Sequence, residues 1–240
     1  MDSLLVTGPQ LRDMLISAAY AIEERRQEIN ELNVFPVPDG DTGTNMSMTM
    51  NSAVRELSRF DKCTVAEVSD TAASSLLRGA RGNSGVILSL LFRGIARTFK
   101  GKETASGFDF TKALQNGVDA AYKAVMKPAE GTILTVARES AEVANNASID
   151  DNGNEPSFSQ IMKIIADQSA KTLEKTPDML PVLKKAGVVD SGGKGLVVIF
   201  DAMLQSLESG CVINATNVQN EVPEAPGGAA GEAEDRTSVV

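Results

Sequence analysis

Apolar residues recur at helical spacing along almost the whole chain, and no stretch alternates convincingly as a strand. The first run opens after Thr7 and Pro9. It places Leu11, Met14, Leu15, Ala18, Ala19, Ile22 and Ile29 on one face of a helix reaching about Asn30. A second helix starts at Thr44 or Asn45 and carries Met46, Met50, Val54 and Leu57. Thr64 caps a third, from Val65 to about Arg78. Asn83 or Ser84 opens a fourth through Val86, Leu90, Ile95 and Phe99, which Gly101 ends. The fifth covers Phe108 to Met126 and stops before Pro128, and the sixth follows Gly131-Thr132 with Ile133, Val136, Val143 and Ala144. Beyond a polar loop from Asn145 to Glu155, the seventh runs from Pro156 to Leu173, and Thr176-Pro177 opens a short continuation to Ala186. The eighth spans about Gly193 to Ser209.

Amphipathic helices joined by short connections predict an all-α fold, an eight-helix antiparallel up-and-down barrel or bundle over residues 1–212. Residues 213–240 have the composition of a flexible linker or tail. The glycines are not scattered. Gly40 and Gly43, then Gly79, Gly82 and Gly85, then Gly131, then Gly192, Gly193 and Gly195 each mark the start of an even-numbered helix. In an up-and-down arrangement those four connections share one end. That end is therefore expected to be built from glycine-rich loops opening into helix N-termini, which attract anions.

Composition narrows the chemistry. The chain has 240 residues, ample for a sizeable core, and a formal net charge of -9. It has no tryptophan and only two tyrosines, so neither a basic surface nor aromatic platforms recommend nucleic acid as a partner. Part of the negative charge belongs to the tail, where Glu221, Glu224, Glu232, Glu234 and Asp235 face only Arg236. Cys63 and Cys211 read as reduced thiols. No signal peptide or transmembrane run is visible, and the expected location is the cytoplasm. The chain contains no histidine. This removes the commonest general base and metal ligand and every Ser-His or Cys-His pair, leaving oxygen ligands, amides, lysine and arginine.

The stretch NVFPVPDGDTGTNM, residues 33 to 46, then poses a question. Alone, DGDTGTN is an Asx-type turn with helix capping. At an anion-binding end, however, Asp39 and Asp41 would repel phosphate unless a hard cation lay between them, as magnesium does between carboxylates and substrate phosphates. In RGARGNS, Gly82, Asn83 and Ser84 offer amides and side chains to phosphate, and Arg81 can neutralise a transferring phosphoryl group. DSGGKG, from Asp190 to Gly195, adds Lys194 as a weaker phosphate contact. GTILTV at Gly131 to Val136 is the least specific, and helix capping accounts for it. Neither a Walker A loop nor a dinucleotide fingerprint is present.

In order and spacing, NVFPVPDGDTGTNM, GARGNSGVILS, GTILTV and DSGGKGL resemble the ATP-binding domain of bacterial fatty acid kinase, itself similar to the L subunit of dihydroxyacetone kinase. The resemblance spans about residues 8 to 210 and leaves out the tail. It implies a helical barrel holding ATP and two magnesium ions at one end. It makes Asp39 and Asp41 metal ligands, with Asn33 nearest to the third ligand position but one residue further away than the pattern has it. Thr42, Gly43, Thr44 and Asn45 fall on phosphate-contacting positions, Gly82, Asn83 and Ser84 on the nucleotide, and Asp190, Ser191, Gly192 and Gly193 close over it. DGDTG, where dihydroxyacetone kinases have DGDHG, favours the fatty acid branch. A fatty acid carboxylate, with a pKa of about 4, needs no general base, which suits a chain without histidine. The resemblance further implies a separate fatty-acid-binding partner protein and further kinase-subunit domains C-terminal to this chain. Two other functions compete: phosphorylation of a small hydroxy-ketone, as in dihydroxyacetone kinase, and nucleotide binding without turnover.

Overall fold

The computed structural model describes residues 4–147 and 155–214. Most of the expected polar loop after Asn146 and the tail from residue 215 lie outside them. The elements run β1 (Leu5–Thr7), α1 (Gly8–Glu24), α2 (Arg26–Glu31), α3 (Thr42–Leu57), α4 (Val65–Gly79), α5 (Gly82–Phe99) and β2 (Thr104–Ser106). They continue with α6 (Gly107–Ala124), α7 (Ile133–Asn146), α8 (Phe158–Met179), α9 (Pro181–Ala186) and α10 (Ser191–Ser209).

Eight long helices form a closed ring. Each packs on the next in chain order, α1 on α3, then α4, α5, α6, α7 and α8, and α10 returns to pack on both α8 and α1. Leu11, Met14, Ile22, Met46, Leu88, Val136, Ile165 and Ile199 belong to the one buried cluster that fills it. The expected barrel is thus observed, because each helix carries an apolar stripe and burying all of them at once closes the ring.

Three details differ from the sequence expectation. The first helix is broken at Arg25, and α2 turns aside to pack on α3 and α10. Pro177 does not interrupt α8. A proline at this position cannot bond the carbonyl of Leu173, but the Thr176 hydroxyl donates to that carbonyl at 2.7 Å and fills the gap. A two-stranded antiparallel ribbon, β1 with β2, pairs Val6 with Ala105 where no strand was expected. Three residues are too few for a period-two pattern to register.

The ribbon marks one end of the barrel. Glu103 and Lys102 beside it accept from the Val65 and Ala66 amides of α4 at 3.1 and 3.2 Å. Gly8 of α1 touches Cys63 just before α4, and Gly107 of α6 abuts Pro156 and Ile161 of α8. The N-termini of α1, α4, α6 and α8 therefore gather here, so ring neighbours run antiparallel. All four are closed by reciprocal capping boxes: Thr7 with Gln10, Thr64 with Glu67, Ser106 with Asp109, and Ser157 with Gln160. Below them Phe110 packs between Phe99 and Phe158, at ring-centroid distances of 6.4 and 5.2 Å. Past the end of α10, the Ile213 amide donates to Ser17 Oγ of α1 at 2.9 Å, one residue beyond the expected boundary at residue 212.

Candidate functional site

The remaining four N-termini, of α3, α5, α7 and α10, meet at the opposite end. Gly82 adopts φ +58° and leaves room for the Asn45 side chain of α3, a space that any Cβ would fill. The Arg81 amide donates to Thr49 Oγ1 at 3.2 Å, which fastens α5 to α3. Ser191 Oγ donates to Thr42 Oγ1 at 3.2 Å, and Gly195 lies against Met46, so α10 is fastened to α3 as well. Gly192 packs on Ile133 of α7, which completes the circle. The glycine-rich connections do share one end, as the sequence pattern implied.

Capping differs sharply here. The N-cap residues of α3, α5 and α7 are Asp41, Arg81 and Thr132, and none makes a side-chain capping hydrogen bond. Asp41 has the residue type and position for a cap, yet its carboxylate does not cap. The Thr132 hydroxyl turns back to the Ala129 carbonyl at 2.8 Å. Each of these helices thus presents amides and a positive dipole end without the local acceptor that helices of the ribbon end possess.

Asp39 is exposed and Asp41 half-buried at the mouth of this end. Between them Gly40 adopts φ +68° with open space beside it. Asn33 is buried, and its Nδ2 donates to Asp39 Oδ1 at 2.7 Å. Asn33 and Asp39 are thus brought into contact, with Asp41 two residues on; the oxygens this turn carries are two carboxylates and one amide carbonyl. Among the described residues no group of three or more Asp, Glu, Cys or His could hold a metal ion alone. Magnesium fits a set like this one, because it commonly takes only one or two carboxylates and completes its shell with phosphate oxygens and water.

Other expected contacts have protein partners. The Thr44 amide donates to Asn30 Oδ1, and Asn30 Nδ2 donates to Thr44 Oγ1, both at 3.0 Å. Gly43 backs onto Arg26 and Asn30. Asn30 thus orients the start of α3, and nothing in its local pattern announced that role. Lys194 pairs with Glu28 at 2.8 Å. Asp190 is buried as the N-cap of α10 and accepts from the Gly193 amide at 2.7 Å. The Ile133 amide of α7 also bonds this carboxylate; burial raises its pKa to about 6 although both amides pull it down. Its carboxylate thus straps α7 to α10. Arg81, Gly82 and Asn83 are exposed at the rim and Ser84 is half-buried, while Ser191, Gly192 and Gly193 are buried beneath.

Relatives share both sequence and fold. The chain is 44% identical to Protein YloV of Bacillus subtilis over 208 residues, covering 87% of this chain and 37% of YloV. It is 43% identical over 203 residues to uncharacterized proteins of Staphylococcus saprophyticus and Staphylococcus aureus, covering 85% of this chain and 36% of each. The chain therefore spans little more than a third of the length of these relatives. The crystal structure of the dihydroxyacetone kinase of C. freundii superposes with a TM-score of 0.56 at 17% identity, over 82% of this chain and 34% of that one. This likeness is one of fold. Among the described residues no helix is long and apolar enough to cross a membrane. The DAK2 domain matches residues 36–205, from Pro36 of the acidic turn to the last turns of α10, and the chain belongs to that family.

Proposed function

We propose that this chain is the ATP- and magnesium-binding domain of a kinase that phosphorylates a fatty acid carboxylate, presented by a separate binding protein, to an acyl phosphate. One observation carries the reading: three helix N-termini whose own N-cap residues make no side-chain capping bond converge on the end where Asp39 and Asp41 stand. Amides and dipole ends of α3, α5 and α7 would hold the phosphates. Asp39, Asp41 and the Asn33 carbonyl would hold magnesium, which when bound supplies charge neutralisation to the phosphates. Arg81, exposed at the start of α5, would meet the charge that develops on the transferring group. A carboxylate oxygen of the acceptor forms a bond to the γ-phosphorus, and the bond to the β,γ-bridging oxygen breaks with its electron pair leaving on ADP. The acceptor is already ionised, so a chain without histidine loses nothing.

The dihydroxyacetone kinase likeness favours a second reading, in which the acceptor is a small hydroxy-ketone. Hydroxylamine trapping of acyl phosphate, run beside an assay on dihydroxyacetone, separates the two. Calorimetry on this chain is expected to give Mg-ATP binding, while acyl phosphate forms efficiently only with the fatty-acid-loaded carrier and in a protein of the relatives' full length. Full activity from this chain alone would refute the division of labour, and absence of nucleotide binding would refute both readings.

A further inference from the structure

The opening turn of α7 is secured by side chains that lie outside the ring of N-termini. Gly131, at φ +81°, has the Met179 and Leu180 side chains against it and donates its amide to Thr135 Oγ1 at 2.8 Å. Thr135 is fully buried, and its hydroxyl donates to Glu130 Oε2 at 2.9 Å. Arg138 Nη2 donates to the same Oε2 at 3.0 Å, and Tyr122 of α6 donates to Oε1 at 3.2 Å. Arg138 is held in turn by Glu142 at 3.1 Å and lies 3.8 Å from Glu139. Glu139 accepts from Thr172 of α8 at 2.8 Å. Burial works against the Glu130 charge, yet the Thr135 and Arg138 hydrogen bonds prevail and hold its carboxyl below the ordinary range.

The other ion pairs among the described residues join one cation to one acid, as in Lys102–Asp109, Lys163–Asp167 and Lys194–Glu28. Only Arg138 faces three. Isolated surface pairs add little to stability, whereas a cross-linked set fixes geometry. What this set fixes is the turn from Glu130 to Thr132, which leads into the first turn of α7. Resting on the function proposed above, we infer that Arg138, Glu130 and Thr135 are positioning residues for phosphate binding. They hold the Gly131 turn so that the first turn of α7 keeps its place beside the nucleotide, although its N-cap residue, Thr132, makes no side-chain cap.

Calorimetric Mg-ATP titrations of the parent, Thr135→Val, Thr135→Ser and Arg138→Lys, each with a thermal melt, test this. Thr135→Val removes the acceptor of the Gly131 amide and Arg138→Lys removes the guanidinium fork. Both are expected to weaken binding by about tenfold, the scale of a lost supporting group. Thr135→Ser keeps the hydroxyl and is expected to bind like the parent. Parent-like affinity in both Thr135→Val and Arg138→Lys overturns the inference. Equal weakening by Thr135→Ser overturns it too, since packing and not the hydroxyl would then matter. Arg138→Lys leaves the buried core untouched, so it decides the matter if Thr135→Val does not fold. A parent that binds no nucleotide overturns the proposed function itself, and is recognised because the parent is titrated first.

Discussion

The two ends of the barrel are made from the same eight helices, four N-termini at each, and they solve the same local problem differently. At the ribbon end every N-terminus is closed by a capping box, two orphan donors at a time, above three packed phenylalanines. At the glycine end none has a capping box and in three of four the N-cap side chain makes no capping bond, while the hydroxyls and amides found there bind neighbouring helices. A capped amide contributes to stability and is closed to any ligand. An uncapped one, held in place by packing, is available. On the function proposed above, stability and binding fall to opposite poles of one ring.

The most forceful way to break this contrast is Phe110→Ala at the ribbon end. It should cost about 3–5 kcal/mol in urea unfolding, as large-to-small core changes do, with Mg-ATP affinity of the folded protein unchanged. A matched loss of affinity would deny the separation of the ends. Asp41→Ala works in the opposite sense. Mg-ATP binding is expected to fall about a hundredfold, equivalent to ~2.7 kcal/mol, while the melting temperature holds. If neither Asp39→Ala nor Asp41→Ala weakens binding, the metal assignment is wrong. Thr64→Ala is a gentler probe, with an expected cost of about 1 kcal/mol in stability and none in nucleotide affinity. The smallest effect concerns Asp190. Burial raises its pKa to about 6 from the ordinary 3.8, so the folded protein binds the proton more tightly than the unfolded chain. Its contribution is present below the lower value and is lost as pH rises through the upper one. Urea midpoints should therefore rise on acidification between those limits. Asp190→Asn should abolish that slope, and an unchanged slope would exclude Asp190 as its source.

The ring itself was legible because each of its helices repeats an apolar stripe, and Thr64 was legible as a cap from its place before Val65. The shared end of the glycine loops followed from counting connections. What escaped the sequence were relations between distant residues. Thr176 compensates Pro177 through a carbonyl within its own helix, but only a hydroxyl rotamer reveals it. Asn30 caps nothing in its own helix and instead holds Thr44, fourteen residues on. Asp190 belongs to the glycine loops in sequence, yet it serves as a strap because the fold brings Ile133 beside it. Lys194, chosen as a phosphate contact for its charge, is held by Glu28. Glycines at Gly43, Gly82 and Gly195 admit neighbouring protein. Residue type announced a crowded site, and only packing assigned the crowding to partners.

Closure of the ring has a consequence for how the chain comes into being. α10 is the last long helix of the described chain, and it seals the barrel by packing on α1, the first. During synthesis seven staves are complete before the eighth emerges, and an open barrel exposes the inner apolar faces of α1 and α8. Contacts between the most distant parts of a chain are also the slowest to form. A ribosome-bound precursor stalled before Ser191 therefore presents two unpaired helix faces, and it is there that a chaperone would find its grip.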